Sequence, residues 1–422
     1  MRVLLIEPGV YEGDALVRMK TRPTQLVSLT LPYLAALAPS DVDVQLAYEI
    51  TEDLEHDYDL SSYDVIGITA QTSQVKRALE LMQMLRGTGP KIIVGGPATV
   101  EDDHRLVRVL SRFADAVAVG DAELTWPEIL SDAQTGQLRK TYQASTPSPI
   151  GGRPMPRFEL MNFAHIDSPH VLPVITSTGC PRRCSFCSEF LYGEWLLRPI
   201  EDVVAEIFRC RDEFGISRVC FRDDNFLAHP DRSKELLSRL IGQGFEWACQ
   251  TDLSLARHPD LLEVALASGM RIASFGIESV RQANREWTEK TFFRMADAED
   301  LLLRLHAEGV ETQANIIFGF DNDDPEIFEE TLQFLTRTKV SRFFPSILYP
   351  IPGTRLHQQL RSENRLLSDS APGVGDPLLV WFEPKNMTRA QLVDGYLWTK
   401  RRFDELPDGD RGYWLGRDVM VI

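Results

Sequence analysis

The chain has 422 residues, of which 43% are hydrophobic and 25% are charged, and its formal net charge at pH 7 is -17. This length suits two or three domains, each with a core of its own. The acidic balance argues against nucleic acid as a partner, because phosphate binding needs clustered lysine and arginine. No apolar run reaches the roughly 18 residues of a membrane helix. Since the chain opens directly as a strand rather than as a basic and then apolar leader, we expect a cytoplasmic protein without a membrane span.

Short apolar strands alternate with amphipathic helical stretches over the first third of the chain. Strands are predicted over 3–6, 42–47, 63–68, 91–94 and 116–119, and helices over 26–37 and 74–85. This alternation predicts a doubly wound, Rossmann-like α/β domain with a parallel sheet. We assign residues 1–140 to this domain and the stretch 141–170, which is rich in Pro, Ser and Gly, to a linker.

Small or polar residues follow these strands, at the edge where such sheets bind ligands. Thr69 ends the third predicted strand, and Gly95 and Gly96 end the fourth. Glycine at such a position lets a ligand approach the backbone closely. Each turn taken alone is equally consistent with an ordinary strand-to-helix connection.

A second alternating series begins near residue 171. Its strands are predicted over 171–175, 218–221, 246–249, 272–275, 312–317 and 342–348, and its helices over 200–214, 233–241, 259–267, 295–308 and 325–336. Six units are too few to close a standard eight-unit barrel. A last helix is predicted over 386–403, in the tail of the chain.

Three cysteines follow the first strand of this second series, in the order Cys180, Cys184 and Cys187. Three thiolates without a fourth leave one iron of a cubane cluster open, and an open iron can bind a substrate. A closed zinc site has four ligands and normally a second pair of cysteines or histidines, which the sequence does not offer. A zinc-bearing interaction protein remains an alternative. The other three cysteines are expected to be packing residues: Cys210, Cys220 and Cys249.

The spacing Cys-x3-Cys-x2-Cys, with Phe186 just before the last cysteine, resembles the cluster loop of the radical SAM family. The resemblance implies that the three cysteines hold a [4Fe-4S] cluster whose open iron chelates S-adenosylmethionine, which is then reductively cleaved to a 5′-deoxyadenosyl radical. It also implies a partial (β/α)6 barrel over 171–360, a small helical cap over 361–422, and an external electron donor such as flavodoxin or ferredoxin.

Other segments that resemble motifs of this family lie at the predicted strand ends, where barrel enzymes carry their functional groups. By this resemblance Asp224 lies near S-adenosylmethionine or the substrate, and Glu278 in Gly-Ile-Glu-Ser binds the ammonium or ribose of that cofactor. Most relatives carry Pro-Gly-Glu after Gly319, whereas this chain has Asp-Asn-Asp-Asp at 321–324. The candidate cofactor-binding residues are Phe186 in the cysteine loop and, at these strand ends, Asp224, Gln250, Glu278, Ser279, Ile317 and Gly319.

The first domain resembles the cobalamin-binding domain that precedes the barrel in one large subfamily. The resemblance implies that Thr69, Gly95 and Gly96 border cobalamin. The subfamily's Asp-x-His-x-x-Gly segment is missing, because residues 7–13 offer no imidazole. Cobalamin is therefore expected to bind without a protein ligand to cobalt, or not to bind.

Two activities are consistent with this resemblance. The first is cobalamin-dependent methyl transfer to an unactivated carbon of a small metabolite or natural product. The alternative uses the 5′-deoxyadenosyl radical directly, in a dehydratase, oxidoreductase or rearrangement reaction on a sugar or natural product. In that case the first domain would hold no cofactor.

Overall fold

The computed structural model describes residues 1–12, 15–16, 28–100, 105–144, 150–161, 171–189, 194–291, 293–367 and 378–406. These residues divide into two compact units, one within Met1–His170 and one that begins at Val171. Parts of the predicted linker (145–149 and 162–170) and of the predicted cap (368–377 and 407–422) lie outside the described residues, as do residues 26–27 of the first predicted helix.

The first unit is an α/β unit built around one parallel sheet. Its strands are β1 (Arg2–Glu7), β2 (Tyr11–Glu12), β3 (Ala15–Leu16), β4 (Asp43–Tyr48), β5 (Val65–Thr69), β6 (Lys91–Gly95), β7 (Ala116–Val119) and β8 (Thr141–Gln143). Its helices are α1 (Thr30–Leu37), α2 (Leu54–Asp57), α3 (Val75–Leu85), α4 (Arg105–Leu110) and α5 (Ala122–Thr135). Strand β5 is buried along its whole length, as is typical of a parallel sheet that is covered on both faces.

The six-stranded sheet of the first unit has the order β4-β1-β5-β6-β7-β8, and all of its pairs are parallel. The strand order reverses between β1 and β5. In doubly wound sheets of this order, ligands bind beyond the carboxyl ends of the strands at the point of reversal. Thr69, at the end of β5, lies at this point.

The second unit repeats strand and helix in turn. Its strands are β9 (Val171–Val174), β10 (Ser177–Thr178), β11 (Leu196–Leu197), β12 (Arg218–Phe221), β13 (Glu246–Thr251), β14 (Met270–Glu278), β15 (Glu311–Phe318) and β16 (Arg342–Ile347). Its helices are α6 (Ile200–Phe214), α7 (Pro230–Ser238), α8 (Pro259–Ala267), α9 (Gln282–Trp287), α10 (Met295–Ala307), α11 (Ile327–Arg337), α12 (Arg355–Ser362) and α13 (Arg389–Asp404).

Six of these strands form one parallel sheet in the order β16-β15-β14-β13-β12-β9. Each strand therefore lies beside the next one along the chain, with a helical connection between them, as in a (β/α) barrel. The edge strands β9 and β16 are not paired with each other among the described residues. The predicted α/β class and the partial six-unit barrel are confirmed.

The sequence prediction was wrong about the start of the linker and omitted several helices. Residues 141–143 form β8, the sixth strand of the first sheet, where only Tyr142 is buried. Three residues with one apolar side chain carry too little pattern to be recognised without the neighbouring strand β7. Helices α2, α4, α5, α9 and α12 were not predicted, and α5 contains Pro127, which disguises a helical pattern.

The tail helix α13 agrees with the helix predicted over 386–403. Thr388 and Gln391 form a reciprocal capping box at its start. Phe403 contacts Phe343 of β16, with ring centroids 5.3 Å apart, and Gly395 lies directly against the ring of Phe328 in α11. Helix α13 therefore lies in the outer helix layer beside α11. None of the helices in the described ranges combines the length and apolar character needed to cross a bilayer.

Candidate functional site

The cysteine loop leaves the carboxyl end of β9 and is closed at its base by a short antiparallel ladder. Ser177 and Thr178 of β10 pair with Leu197 and Leu196 of β11. Gly179 follows with φ of +72°, and a Cβ on it would lie 3.1 Å from the carbonyl oxygen of Glu194. A glycine is therefore required where the loop begins.

The three thiols of this loop lie close to one another. Cys184 is buried, and Cys180 and Cys187 are half-buried. Cys180 and Cys187 each interact electrostatically with Cys184, and Cys187 also does so with Cys180. Burial raises the pKa of Cys180 to about 11 and that of Cys187 to about 12, and it also raises the pKa of Cys184. Metal binding must therefore displace protons from these thiols.

Side chains from the end of β13 hold the cysteine loop in place. Arg182 forms an ion pair with Asp252, with Nε 3.0 Å from Oδ2, and donates to the hydroxyl of Ser254 at 3.3 Å. Asn225 also donates to Asp252 Oδ2, at 2.6 Å. Burial opposes ionisation of Asp252, but Arg182 and these hydrogen bonds hold its pKa below the ordinary value. The carboxylate of Asp252 is thus a structural anchor for the loop.

The loop is also held by backbone contacts with two later segments. The Ser185 N–H donates to the carbonyl of Thr288 at 3.4 Å, and the Leu356 N–H at the start of α12 donates to the carbonyl of Ser185 at 2.9 Å. Arg355 pairs with Glu289 and donates to the carbonyl of Arg183. These contacts fix the backbone on both sides of Cys184.

Phe186 packs against the segment that follows β15. Its ring lies 6.0 Å from that of Phe320, edge to face, and Trp287 contacts Phe320 in the same manner at 5.9 Å. Phe320 follows Gly319 directly. The structure therefore brings one predicted site residue, Phe186, against the segment that begins at another, Gly319.

Two carboxylates follow β12 and have different surroundings. Asp223 is buried and accepts hydrogen bonds from Thr176 and Ser177 at the end of β9, and burial raises its pKa to about 6. Asp224 lies nearer the cysteine loop. Burial raises its pKa, although a hydrogen bond shared with the Glu189 carboxyl group and one from the backbone of Gly179 lower it. Asp223 joins the ends of two strands, whereas Asp224 interacts electrostatically with Cys180 of the cysteine loop.

Gln250 and Ile317 lie on the inner face of the barrel sheet. Gln250 and Ser274 are register partners across β13 and β14, and Ile317 pairs in register with Ser346. The neighbouring Phe318 contacts Phe328 of α11 on the outer side, at 5.0 Å. Gln250 and Ile317 are both half-buried, so each retains surface on the inner face.

Glu278 ends β14 in an unusual conformation and pairs with a lysine that the sequence did not suggest. Its φ is +64°, and its Oε1 accepts a hydrogen bond from the buried Lys290 at 2.6 Å. Glu278 and Lys290 both interact electrostatically with Cys184. The structure thus brings the predicted Glu278 to the cysteine loop. No spacing rule identifies Lys290, which follows the short helix α9.

Ser279 is buried within a network that joins the ends of β14 and β15. Its hydroxyl accepts from Asn284 Nδ2 at 3.0 Å, and Asn284 also donates to Asp323 Oδ1 at 2.6 Å. Asp323 Oδ2 in turn accepts from the N–H groups of Gly319 and Phe320 at 2.8 and 3.0 Å. Ser279 and the Gly319 N–H are therefore used inside the protein, and Asn284 and Asp323 are supporting residues that sequence reasoning missed.

The acidic run at 321–324, which departs from the family motif, also has internal partners. Arg365 binds both oxygens of Asp321, at 2.7 and 3.0 Å, and Asp324 pairs with Arg281 at 2.8 Å. A Cβ on Gly319, whose φ is +108°, would lie 3.0 Å from both Phe382 and Leu392 of the tail. The run therefore anchors the segment after β15 to neighbouring parts of the second unit.

The donor set of the cysteine loop fits an iron-sulfur cluster. Among the residues that the structure describes, no three His, Cys, Asp or Glu side chains converge on a single metal ion. In a cubane cluster each cysteine binds a different iron, so the three cysteines lie further apart than three ligands of one metal ion. All six cysteines are free, and three of them share this one loop.

The predicted cobalamin-binding residues converge at the carboxyl ends of β5 and β6. Gly96 has φ of +99°, and a Cβ on it would lie 2.8 Å from Thr69 Oγ1 and from the backbone N and O of Ala70. A Cβ on Gly95 would make an ordinary contact, 3.4 Å from that of Ala118. Gly96 is thus required by the chain itself, and small residues leave the end of β6 open to a ligand.

The segment after β1 offers no imidazole and is bound to its neighbours. The Gly9 N–H donates to the buried Glu49 at 2.9 Å, and Gln74 Nε2 donates to the carbonyl of Pro8 at 2.7 Å. Glu49 is also paired with Arg77 of α3, at 2.5 Å. In the described part of the first unit the only histidine is His56, which is exposed on α2. The residues present fit a corrin bound without a histidine ligand.

Two family models match the chain in separate regions. The model of the radical SAM superfamily matches residues 174–335, and the model of the B12 binding domain matches residues 16–130. The first region contains the cysteine loop and strands β12 to β15, and the second contains the carboxyl ends of β5 and β6.

Similar proteins combine both regions. Bacteriochlorophyllide d C-12(1)-methyltransferase of Chlorobaculum tepidum is 28% identical over 405 residues, which cover 92% of this chain and 86% of that protein. The radical S-adenosylmethionine methyltransferase TsrM of Kitasatospora setae matches 94% of this chain and 83% of its own, with a TM-score of 0.66 and 16% identity. The cobalamin-dependent S-adenosylmethionine radical enzyme OxsB matches 95% of this chain and 67% of its own, with a TM-score of 0.72 and 15% identity. The two structures support the fold.

Proposed function

The chain belongs to the radical SAM superfamily, in the group of enzymes that carry a B12 binding domain, and from this premise we propose that it is a cobalamin-dependent methyltransferase. Its substrate would be a small metabolite or natural product that is methylated at an unactivated carbon. The observation that carries the proposal is the presence of both domains in one chain, together with a methyltransferase relative that is matched over 86% of its length. A zinc-bearing interaction protein is no longer a competing interpretation.

We assign the cluster of this enzyme to the cysteine loop. Cys180, Cys184 and Cys187 would bind three irons of a [4Fe-4S] cluster, leaving the fourth iron for S-adenosylmethionine. When bound, the cluster supplies the electron that cleaves the cofactor. The three thiols share one loop, and the backbone hydrogen bonds of Ser185 with Thr288 and Leu356 hold that loop in place next to Cys184.

We assign S-adenosylmethionine to the strand ends beside that loop. Glu278, at the end of β14, offers a carboxylate for the ammonium or ribose hydroxyls of the cofactor. Asp224 and Gln250 border the same edge, since Gln250 Nε2 donates to the carbonyl of Asp224 at 3.4 Å. Ile317 and the backbone near Gly319 would flank the adenine, and Phe186 packs beside them through Phe320.

Cobalamin would bind at the ends of β5 and β6, bordered by Thr69, Gly95 and Gly96. Because the segment after β1 is bound to Glu49 and Gln74 and has no imidazole, it would supply no histidine ligand to cobalt. When bound, cobalamin supplies a methyl carrier between S-adenosylmethionine and the substrate.

We further propose that the protein acts in the cytoplasm with flavodoxin or ferredoxin as its electron donor. Reductive cleavage consumes one electron for each molecule of S-adenosylmethionine cleaved, and this electron must come from a low-potential donor. A cluster with an open iron and six free thiols also requires reducing surroundings.

Anaerobic reconstitution with iron, sulfide and hydroxocobalamin tests the function. We expect the protein to retain both the broad visible absorbance of a cluster and a corrin spectrum after desalting, and to form S-adenosylhomocysteine once S-adenosylmethionine and dithionite, as the reductant, are added. Cys184→Ala should lose the cluster and all turnover. Cys210→Ala, which removes a buried cysteine of α6 outside the loop, should retain both. A wild-type protein without a cluster would contradict the proposal.

A second candidate is direct use of the 5′-deoxyadenosyl radical, and the missing imidazole after β1 is the observation that favours it. In this case the product would arise by dehydration, oxidation or rearrangement of a sugar or natural product. The same reconstituted protein decides between the two candidates. If no corrin spectrum is retained and 5′-deoxyadenosine forms without S-adenosylhomocysteine, the second candidate replaces the first.

A further inference from the structure

Lys290 is a buried lysine beside the cysteine loop to which the proposed function gives no role. Its side chain is only 7% exposed, and that of its partner Glu278 is 12% exposed. Lysine is almost never fully buried without a partner, because its ammonium loses hydration. The Nζ donates to Glu278 Oε1 at 2.6 Å.

The backbone around β14 is shaped to accommodate this ion pair. A Cβ on Gly276 would lie 2.6 Å from Glu278 Oε1 and 2.8 Å from Lys290 Nζ, so a side chain at position 276 would crowd the ion pair. Glu278 adopts a positive φ of +64°, which is unfavourable for a residue with a side chain. The surrounding structure therefore holds the pair in one arrangement.

The ammonium of Lys290 lies within electrostatic range of Cys184. The Glu278 carboxylate, whose Oε1 lies 2.6 Å from Nζ, favours the charged ammonium of Lys290. Lys290 is the charged group that most favours the thiolate form of Cys184, and Arg182 has the same but weaker effect. The carboxylates of Glu278 and Asp252 disfavour the thiolate. Lys290 is thus a fixed positive charge beside the cysteine loop.

Its distance from the loop is fixed by the backbone. The Ser185 N–H donates to the carbonyl of Thr288 at 3.4 Å. Ser185 follows Cys184 directly, and Thr288 lies two residues before Lys290. The segment continues through Glu289, which pairs with Arg355. Movement of Lys290 away from Cys184 would therefore strain the contacts made by the two residues that precede it, Thr288 and Glu289.

We propose that Lys290 is a positioning residue of the cluster site, whose charge beside Cys184 raises the reduction potential of the cluster bound there. This rests on the proposed function, which assigns the cluster to the cysteine loop. On reduction, one electron passes from a low-potential donor, such as dithionite, to the cluster, which changes from the 2+ to the 1+ state. The added negative charge is stabilised by a nearby cation, and the stabilisation is strong where water is excluded.

Spectroelectrochemical titration of the reconstituted protein without S-adenosylmethionine tests this role. In Lys290→Met the ratio of reduced to oxidised cluster at a fixed potential should fall about tenfold, which for a one-electron couple corresponds to a shift of about 59 mV. Lys290→Arg keeps the charge and should stay near the wild-type potential. Lys234→Met removes a lysine of α7 that pairs with Asp260 at 2.6 Å but is more exposed, and it should leave the potential unchanged.

Each outcome decides the proposal. A Lys290→Met protein with full iron content and the wild-type potential would overturn it. If this variant cannot hold a cluster, Glu278→Gln takes its place, because it retains the ammonium and removes the opposing carboxylate, so the potential should rise; no rise would overturn the proposal. Failure of the wild-type protein to acquire a cluster would instead contradict the proposed function.

Discussion

Asp323 shows how a single buried side chain organises the cofactor edge of the barrel. Its carboxylate accepts from two backbone N–H groups of the segment after β15 and from Asn284. Burial disfavours the charged carboxylate and raises the pKa of Asp323 to about 6. The three hydrogen-bond donors lower the pKa, but by less than burial raises it. The residue is therefore charged at neutral pH at a cost in stability.

The raised pKa of Asp323 predicts a specific pH dependence of stability. Because the pKa of Asp323 is higher in the folded than in the unfolded protein, protonation of this carboxyl group stabilises the fold. The stabilisation is complete below about pH 4 and is lost as the pH rises through about 6. Between pH 4.5 and 7 the wild-type free energy of unfolding should fall by about 2 kcal/mol more than that of Asp323→Asn. Denaturant unfolding of the metal-free, reduced protein at several pH values measures this difference. Parallel pH profiles of the two proteins would contradict it.

Several residues that the sequence singled out have internal partners. Ser279 and the Gly319 N–H are hydrogen-bonded within the protein, whereas Asp224 and Glu278 lie beside the cysteine loop. A motif indicates that a residue matters at a strand end, but it cannot distinguish a ligand from a supporting group. That distinction depends on which neighbours fill the available hydrogen bonds.

At the scale of elements, the cysteine loop is held by three different parts of the second unit. The end of β13 supplies Asp252, the segment after α9 supplies the carbonyl of Thr288, and the start of α12 supplies the N–H of Leu356. These partners are far apart in the chain. The loop is thus fixed by the barrel rather than by its own sequence.

In the first unit the turn after β6 depends on one glycine. Gly96→Ala should lower the free energy of unfolding by roughly 3 kcal/mol, because it adds backbone strain to a contact of 2.8 Å with Ala70. Gly87→Ala is the matched control, since Gly87 also has a positive φ, of +82°, but has nothing within 4 Å of its Cβ position. The control should lose only about 1 kcal/mol.

Denaturant unfolding of the two glycine variants beside the wild-type protein provides the measurement. Equal losses in the two variants would show that the contact with Ala70 does not matter and that φ alone determines the cost. A larger loss in Gly87→Ala would contradict the described turn.

At the scale of the whole molecule, the two units carry different cofactors in the proposed function. The cysteine loop and its partners lie entirely in the second unit, and Thr69, Gly95 and Gly96 lie entirely in the first. Each unit has a sheet of its own. Binding of the two cofactors should therefore respond to separate substitutions.

Cofactor content after reconstitution tests this separation. Cys184→Ala should lose iron but retain the wild-type amount of corrin after desalting. Gly96→Ala should retain less corrin, because the end of β6 is displaced, and should keep the wild-type iron content. Loss of both cofactors from either variant would contradict independent binding.

Features that depend on a local pattern could be predicted from the amino-acid sequence alone. Alternating strands and helices predicted both α/β units, the spacing of Cys180, Cys184 and Cys187 predicted a cluster loop, and residues 7–13 showed that an imidazole is missing. Each of these features is contained within a short stretch of chain, where composition and spacing are sufficient.

Contacts between residues that are distant in the chain became visible only in the folded protein. It paired Glu278 with Lys290 through a space left by Gly276, joined Asn284 to Asp323 across 39 positions in the chain, and placed 141–143 in the sheet as β8. The physical reason is that ion pairs, buried hydrogen bonds and shifts of pKa depend on burial and on neighbours brought by folding, and no spacing in the sequence encodes either.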